Sequence, residues 1–135
     1  MIEIRETIHA EDLRRILANP REIELAAPFP REAFVKDVSA RPSSGATVFE
    51  DGVPIVAGGL TRLAPPCAYV WLIASKDLRP YKDLVVPEVE KRLKVAAAEG
   101  LTIYATVTPG QEVAERFLSK LGFEQSEDQT HWTLK

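Results

Sequence analysis

The sequence predicts a single α+β domain, 1–135, with a mixed, mostly antiparallel sheet of six to seven strands and helices on both faces. Three observations predict it. Asp51-Gly52 joins two runs rich in β-forming residues, which is typical of an antiparallel hairpin. Strand-like and helix-like segments follow one another in the order βααβββαβαββ. The run AYVWLIAS, Ala68 to Ser75, is nearly all apolar, as expected of a central strand covered on both faces.

One strand and two helices are predicted before the hairpin. Ile2 and Ile4 alternate with charged residues, which is the period of a half-buried strand. The apolar residues of 13–17 are spaced as one helical face, and the Asn-Pro pair at 19–20 ends this helix. A second, short helix is predicted at about Arg31 to Ser39, after two prolines that break the chain.

The hairpin strands are predicted at Ala46 to Glu50 and at Val53 to Leu63. Within the second strand, Gly58-Gly59 indicates a bulge or a close approach of two backbones, because glycine packs no side chain there. A Pro-rich loop then leads into the apolar central strand. This region therefore supplies three consecutive strands of the sheet.

A long helix is predicted after the central strand, since apolar residues from Val85 to Ala97 fall on one helical face. Pro80 and Pro87 are alternative first residues of this helix, because proline is favoured at that position. Gly100 closes the helix from the position after its C-cap. An apolar strand is expected next, at 101–107.

The last helix is predicted to begin with a capping box, in which Thr108 is the N-cap, Pro109 the first helical residue and Gln111 the third. Gln111 therefore has a sufficient structural role. A closing hairpin is predicted from Phe123 onward, with its second strand ending near Leu134.

Composition limits the function. The formal net charge of -3 disfavours a dedicated nucleic-acid binder, which would present a basic face. Cys67 is the only cysteine, so no internal disulfide or cysteine-based metal cluster is expected. His9 and His131 are far apart and lack metal-ligand spacing. The sequence has no run of roughly 20 apolar residues and no apolar core of a signal peptide. We therefore expect a cytoplasmic protein without a membrane segment or metal.

The last helix carries the most specific motif. The stretch QEVAERFLSKLGF is similar to the pattern N-x-x-A-x-x-hydrophobic-Y-x-x-x-G-F of the GNAT superfamily, the acetyl-CoA-dependent N-acetyltransferases. Three earlier stretches resemble the family's first strand and helix, its hairpin and its fourth strand, in that order: IRETIHAEDLRRIL, FEDGVPIVAGGLTRL and AYVWLIAS. The resemblance covers essentially the whole chain. It implies acetyl-CoA as co-substrate and an amine, not identified by the sequence, as acceptor.

The resemblance also implies where the cofactor lies. In the family, the pantetheine arm lies between the splayed fourth and fifth strands, and the pyrophosphate lies on backbone N–H groups at the start of the next helix. The implied cofactor-binding positions are these: Ile73, Ala74, Ser75, Arg79, Tyr81, Lys82 and Gln111. The family loop contains glycines, whereas 76–86 contains none. The cationic residues of 76–86 and Tyr81 either contact the phosphates through their side chains or form a solvated turn.

The catalytic residues are not fixed by the sequence. Leu118 stands where the family often has a tyrosine that protonates the leaving thiolate, and leucine has no proton to donate. Glu50 is expected at the hairpin turn, away from the splayed strands. Ser75 and Tyr69 are poor bases without help. His131 carries more weight, because the last hairpin often borders the acceptor pocket in similar proteins; a partly exposed structural histidine is the alternative.

Three functional hypotheses follow. The first is an N-acetyltransferase in which the amine attacks acetyl-CoA directly. The second is a catalytically degenerate GNAT-fold binding or structural protein, similar to GNAT-like proteins of tailed phages, which would be virion-associated. A small α+β interaction domain that matches the pattern by chance is a third, weaker hypothesis. The oligomeric state, including a homodimer, stays open.

Overall fold

The computed structural model describes residues 1–18, 35–36, 38, 43–62, 64, 66–75, 79–106, 112–127 and 131–134. They form one seven-stranded sheet in the order β1-β2-β3-β4-β5-β7-β6. The strands are β1 Ile2–Arg5, β2 Ser43–Glu50, β3 Val53–Arg62, β4 Cys67–Ala74, β5 Thr102–Ala105, β6 Phe123–Gln125 and β7 Trp132–Leu134. Neighbouring strands pair antiparallel except β4 and β5, which are parallel. The mixed, mostly antiparallel sheet is confirmed.

In the described residues, three complete helices pack on the sheet: α1 Ala10–Leu17, α2 Lys82–Ala98 and α3 Glu112–Leu121. A 3-10 turn, Arg79–Tyr81, precedes α2. Val35, Lys36 and Val38 are also helical, while the rest of the helix predicted at 31–39 lies outside the described residues. No helix in the described part of the chain is long and apolar enough to cross a membrane.

The sheet separates two apolar clusters. Successive residues of a strand point to opposite faces, so Trp71 and Ile73 join α1 on one face while Val70 and Leu72 join α2 and α3 on the other. We call these the α1 cluster and the α2–α3 cluster. Trp71 and Ile73 are both fully buried. The prediction that the apolar run after the Pro-rich loop is a central strand covered on both faces is therefore confirmed.

The Asp-Gly hairpin is also confirmed, with Asp51 and Gly52 at φ of 50° and 80°. The sheet bulge lies elsewhere than predicted. The β2–β3 register shifts opposite Ile55 and is regular through Gly58-Gly59. The close backbone approach, in contrast, is present at the glycines. A Cβ added at Gly45 would lie 2.5 Å from the carbonyl oxygen of Gly58.

The start of α2 differs from both predicted alternatives, because neither proline is its first residue. Pro80 lies in the 3-10 turn and Pro87 lies inside the helix. Proline inside a helix removes one backbone hydrogen bond. Here the carbonyl that loses it belongs to Asp83, and both residues are exposed, so water can replace the missing N–H. The site therefore tolerates a proline that usually marks a helix boundary.

The end of α2 follows the prediction. Gly100 has a φ of 86° and donates to the carbonyl of Ala97 at 3.0 Å, while the Leu101 N–H donates to Ala96 at 3.2 Å. These two bonds form a Schellman motif, which satisfies carbonyls that the helix leaves without partners. The capping box predicted at 108–111 lies outside the described residues.

Candidate active site

Among the residues that the structure describes, strands β4 and β5 pair over three positions, and this is the main feature of the site. The Cα partners are Cys67 with Thr102, Ala68 with Ile103, and Tyr69 with Tyr104. Beyond Tyr69, β4 continues to Ala74 and pairs within the described residues with β3 alone. The β5-facing edge of 72–74 therefore presents backbone N–H and C=O groups that no strand among the described residues pairs. Such groups require hydrogen bonds from a ligand or water.

The end of β4 can contact a ligand through its backbone only. The side chains of Ile73 and Ala74 are fully buried, and Ser75 is nearly so. The Ser75 hydroxyl donates to the carbonyl oxygen of Ile55 at 3.3 Å, and the Ser75 N–H donates to the same oxygen at 2.9 Å. The hydroxyl of Ser75 is thus committed to the sheet and does not serve as a base.

The 3-10 turn and the first turn of α2 lie beyond the carboxyl end of β4. The hydroxyl of Tyr81 donates a hydrogen bond to the carboxylate of Glu50, the last residue of β2. Pairing of Ala74 with Val56 brings the start of β3, and the hairpin before it, to this end of β4. Sequence reasoning missed this contact, because it joins residues 31 positions apart.

The other predicted phosphate contacts stay predictions. The side chains of Arg79 and Lys82, and the whole of Gln111, lie outside the described part of the structure. The backbone of the 3-10 turn and of the start of α2 is described, and it supplies a helix N-terminus beside the parted strands. The N-terminal N–H groups and the dipole of a helix favour anions.

An aromatic group marks the point where β4 and β5 part. Tyr69 and Tyr104 are the last paired residues of the two strands. The ring of His131 packs edge-on against Tyr104, with ring centroids 5.7 Å apart and an interplanar angle of 70°. Tyr69 packs against the α1 cluster, so this group faces away from α2 and α3. His131 is half-exposed and its backbone is held by Ser126.

The remaining candidates lie elsewhere. His9 is the exposed N-cap residue of α1, and its side chain makes no capping hydrogen bond. The carboxylate of Asp51 lies 2.5 Å from the N-terminal ammonium group, at the hairpin turn. Cys67 is half-buried at the start of β4. The described residues contain no group of three or more His, Cys, Asp or Glu side chains able to hold a metal ion.

Leu118 is fully buried in the α2–α3 cluster. It also lines an apolar cavity of about 60 Å³ between α2, α3 and the sheet. Val70 and Leu72, from the edge of β4 that β5 leaves, line the same cavity. The position that is often a proton-donating tyrosine in similar proteins is therefore hydrocarbon here, and its surroundings are apolar.

Comparison with known proteins supports the fold rather than a specific activity. No family model matches the sequence, and no curated protein matches it closely. A GNAT-family acetyltransferase structure from Staphylococcus aureus is similar over the whole of both chains, at 15% identity and a TM-score of 0.72. The ribosomal-protein-S18-alanine N-acetyltransferase of Escherichia coli is similar over 98% of this chain and 90% of its own, at 16% identity and a TM-score of 0.63.

A third similar structure contains ligands. It is an aminoglycoside acetyltransferase in complex with coenzyme A and kanamycin, similar over 100% of this chain and 95% of its own, at 14% identity and a TM-score of 0.59. The chain therefore has the GNAT fold, as its motifs indicated.

Proposed function

We propose that this GNAT-fold chain is an N-acetyltransferase that transfers the acetyl group of acetyl-CoA to an amine. The observation that carries the proposal is the parting of β4 and β5 after the Tyr69–Tyr104 pair. It leaves, at 72–74, a strand edge that no strand among the described residues pairs, beside a helix N-terminus. A ligand with an amide-containing arm and a diphosphate matches both features. Its arm can pair with the strand backbone, and its diphosphate can bind the N–H groups at the helix start. Coenzyme A has both parts.

In this proposal, the pantetheine arm runs along the end of β4, at Ile73, Ala74 and Ser75, and bonds the backbone groups there that do not pair with β3. The diphosphate lies at the 3-10 turn and the first turn of α2, where Arg79 and Lys82 add positive charge. Tyr81 contributes by fixing the turn, since its hydroxyl is bonded to Glu50. Side-chain cations thus replace the close backbone approach that a glycine-rich loop would allow.

The acceptor amine would approach from the face that carries the aromatic group. Its nitrogen attacks the thioester carbonyl carbon, a C–N bond forms, and the C–S bond breaks as the tetrahedral intermediate collapses. The ammonium proton must pass to a base. We assign that role to the imidazole of His131, which is half-exposed and packs against Tyr104 where the strands part. Leu118 cannot protonate the leaving thiolate, so solvent supplies that proton.

The buried Leu118 favours a second candidate function, a GNAT-fold protein that binds a ligand or a partner without catalysis. The lack of glycine in 76–86 supports it as well. A virion-associated role would belong to this candidate. The two candidates make different predictions, because the catalyst must bind acetyl-CoA and turn it over.

Calorimetric titration of the chain with acetyl-CoA tests the proposal. We expect saturable heat and a rise in melting temperature, because a ligand that binds only the native state stabilises it. The proposed function would be overturned if millimolar acetyl-CoA produced neither binding heat nor a rise in melting temperature. Binding without release of free thiol, across a panel of small and peptide amines, would favour the non-catalytic candidate instead.

The double variant Arg79→Ala and Lys82→Ala should bind acetyl-CoA at least about ten-fold more weakly than the wild-type chain. Each substitution removes a charge-assisted hydrogen bond to a phosphate. A loss of about 1.4 kcal/mol in the free energy of binding lowers the affinity ten-fold. Calorimetry at fixed ionic strength measures the change. A double variant with Lys91→Ala and Lys94→Ala is the matched control, since both lysines are exposed on α2. Equal affinities in the two double variants would mean that the phosphates lie elsewhere.

A further inference from the structure

The cavity behind β4 is apolar on nearly all sides. Its volume is about 60 Å³, and it lies between the sheet, α2 and α3. Glu88 and Arg92 are the charged residues among its described lining. The Arg92 guanidinium lies 3.2 Å from the carboxylate of Glu6 and 3.9 Å from that of Glu88, so its charge is matched at the rim. The interior therefore offers hydrocarbon and no spare charge to a ligand.

The cavity exists because the sheet carries small residues beneath α2. Ala46 and Gly58 are cross-strand partners in β2 and β3, and both line the cavity. A Cβ added at Gly58 would lie 2.9 Å from a methyl group of Leu72, so the Leu72 side chain lies over the position that glycine leaves empty. Larger residues at these positions would fill the space. The sequence thus leaves a gap in a layer that proteins normally pack densely.

The cavity adjoins the edge of β4 that β5 leaves. Val70 and Leu72 belong both to the cavity lining and to the segment that β5 leaves. Leu118 completes the wall from α3. A thioester held along this edge would therefore have its acyl carbons beside the cavity. The same edge carries the pantetheine arm in the function proposed above.

We infer that the cavity receives the acyl chain of an acyl-CoA longer than acetyl-CoA, with an unbranched, uncharged chain of about four carbons. The inference rests on the proposed function. A cavity needs about 10–15 Å³ for one water-sized group, so 60 Å³ accommodates about four to six such groups. Cavities lined by hydrocarbon stay dry and bind apolar ligands. A charged chain end would lose its hydration without gaining a partner.

Calorimetry of the wild-type chain with a series of CoA thioesters tests the inference. We expect butyryl-CoA to bind about fifteen-fold more tightly than acetyl-CoA, because each of its two additional buried methylenes contributes about a four-fold gain. Octanoyl-CoA should bind no more tightly than hexanoyl-CoA, since its last carbons exceed the four to six groups that the cavity accommodates. Succinyl-CoA has the same four carbons with a terminal carboxylate, and should bind no more tightly than acetyl-CoA.

The outcomes separate the inference from the function on which it rests. If acetyl-CoA binds and butyryl-CoA binds equally or less tightly, the acyl-chain inference is wrong and the acetyltransferase proposal stands. A preference for succinyl-CoA over butyryl-CoA would also overturn the inference, because it would require a charged pocket. If no CoA thioester binds, the proposed function fails and the inference fails with it.

Variants at Ala46 test whether the acyl chain lies in the cavity. Ala46→Leu adds three carbons at the cavity floor, and Ala46→Val adds two with a side chain that suits a strand. In both, the ratio of butyryl-CoA to acetyl-CoA affinity should fall from about fifteen to about one. Ala97→Leu, at an exposed position on α2, should keep the wild-type ratio. An unchanged ratio in a folded Ala46 variant would overturn the inference, and the wild-type series decides it if neither variant folds.

Discussion

The His131→Gln variant should transfer the acetyl group about 10²- to 10⁴-fold more slowly than the wild-type chain, the range that general-base catalysis contributes. Glutamine keeps polarity and approximate size but accepts no proton near neutral pH. The backbone of His131 is bonded to Ser126 through main-chain atoms and the serine hydroxyl, so the substitution leaves that anchor in place. Acetyl-CoA affinity should change little, because the phosphates and the pantetheine arm are assigned to β4 and α2.

The measurement is the rate of thiol release from saturating acetyl-CoA in the presence of an amine that the wild-type chain acetylates. His9→Gln is the matched control, since His9 is exposed at the start of α1 and makes no side-chain capping bond. Its rate should equal that of the wild-type chain. Equal rates for the two variants would contradict the assignment of His131 as the base and would leave the proton to a water chain or to the acceptor itself.

The features that the sequence predicted correctly are determined by residues close together in the sequence. The Asp51-Gly52 turn is visible in two adjacent residues, because it needs positive φ at both. The Schellman motif at the end of α2 is likewise predicted by one residue, Gly100, because the motif needs a positive φ that glycine adopts readily. The GNAT fold followed from four such stretches in order. Each stretch alone is a weak indication, and their order excludes most alternative topologies.

The features that the sequence did not predict depend on contacts between distant residues. Pro87 usually marks a helix start, and it is tolerated inside α2 because the carbonyl it leaves unbonded faces water. The Tyr81–Glu50 hydrogen bond depends on how the β2–β3 hairpin lies against the end of β4. Neither residue carries a local motif for the other.

The candidate site was predictable only in part, because it too depends on contacts between distant residues. The apolar run of β4 is obvious, but the point at which β5 stops pairing with it is set by the register of strands that are 35 residues apart. The contact between Tyr104 and His131 likewise requires β7 to lie beside β5. The sequence suggested His131 through family resemblance, and the structure supplies its position at the parting strands.

Trp71→Ala should lower the free energy of unfolding by about 3–5 kcal/mol, which is the usual cost of removing a fully buried large aromatic side chain. Trp71 is fully buried at the centre of β4, where it packs in the α1 cluster with Ile73 and Leu13. The loss includes the transfer of the ring from water and the cavity that the surrounding residues cannot fill. Since small domains have only about 5–15 kcal/mol in total, the variant should be marginally folded at 25 °C.

Denaturant unfolding followed by far-UV circular dichroism measures this loss. Val95→Ala is the control, because Val95 is 56% exposed on α2 and its truncation should change the free energy of unfolding by less than about 0.5 kcal/mol. Trp71→Phe should lose less than Trp71→Ala, since it keeps most of the buried aromatic area. A loss below about 1 kcal/mol for Trp71→Ala would contradict the placement of β4 as the strand that joins both apolar clusters. β4 therefore supplies both the centre of the core and the edge assigned to the proposed cofactor, so the core and the candidate site depend on the same strand.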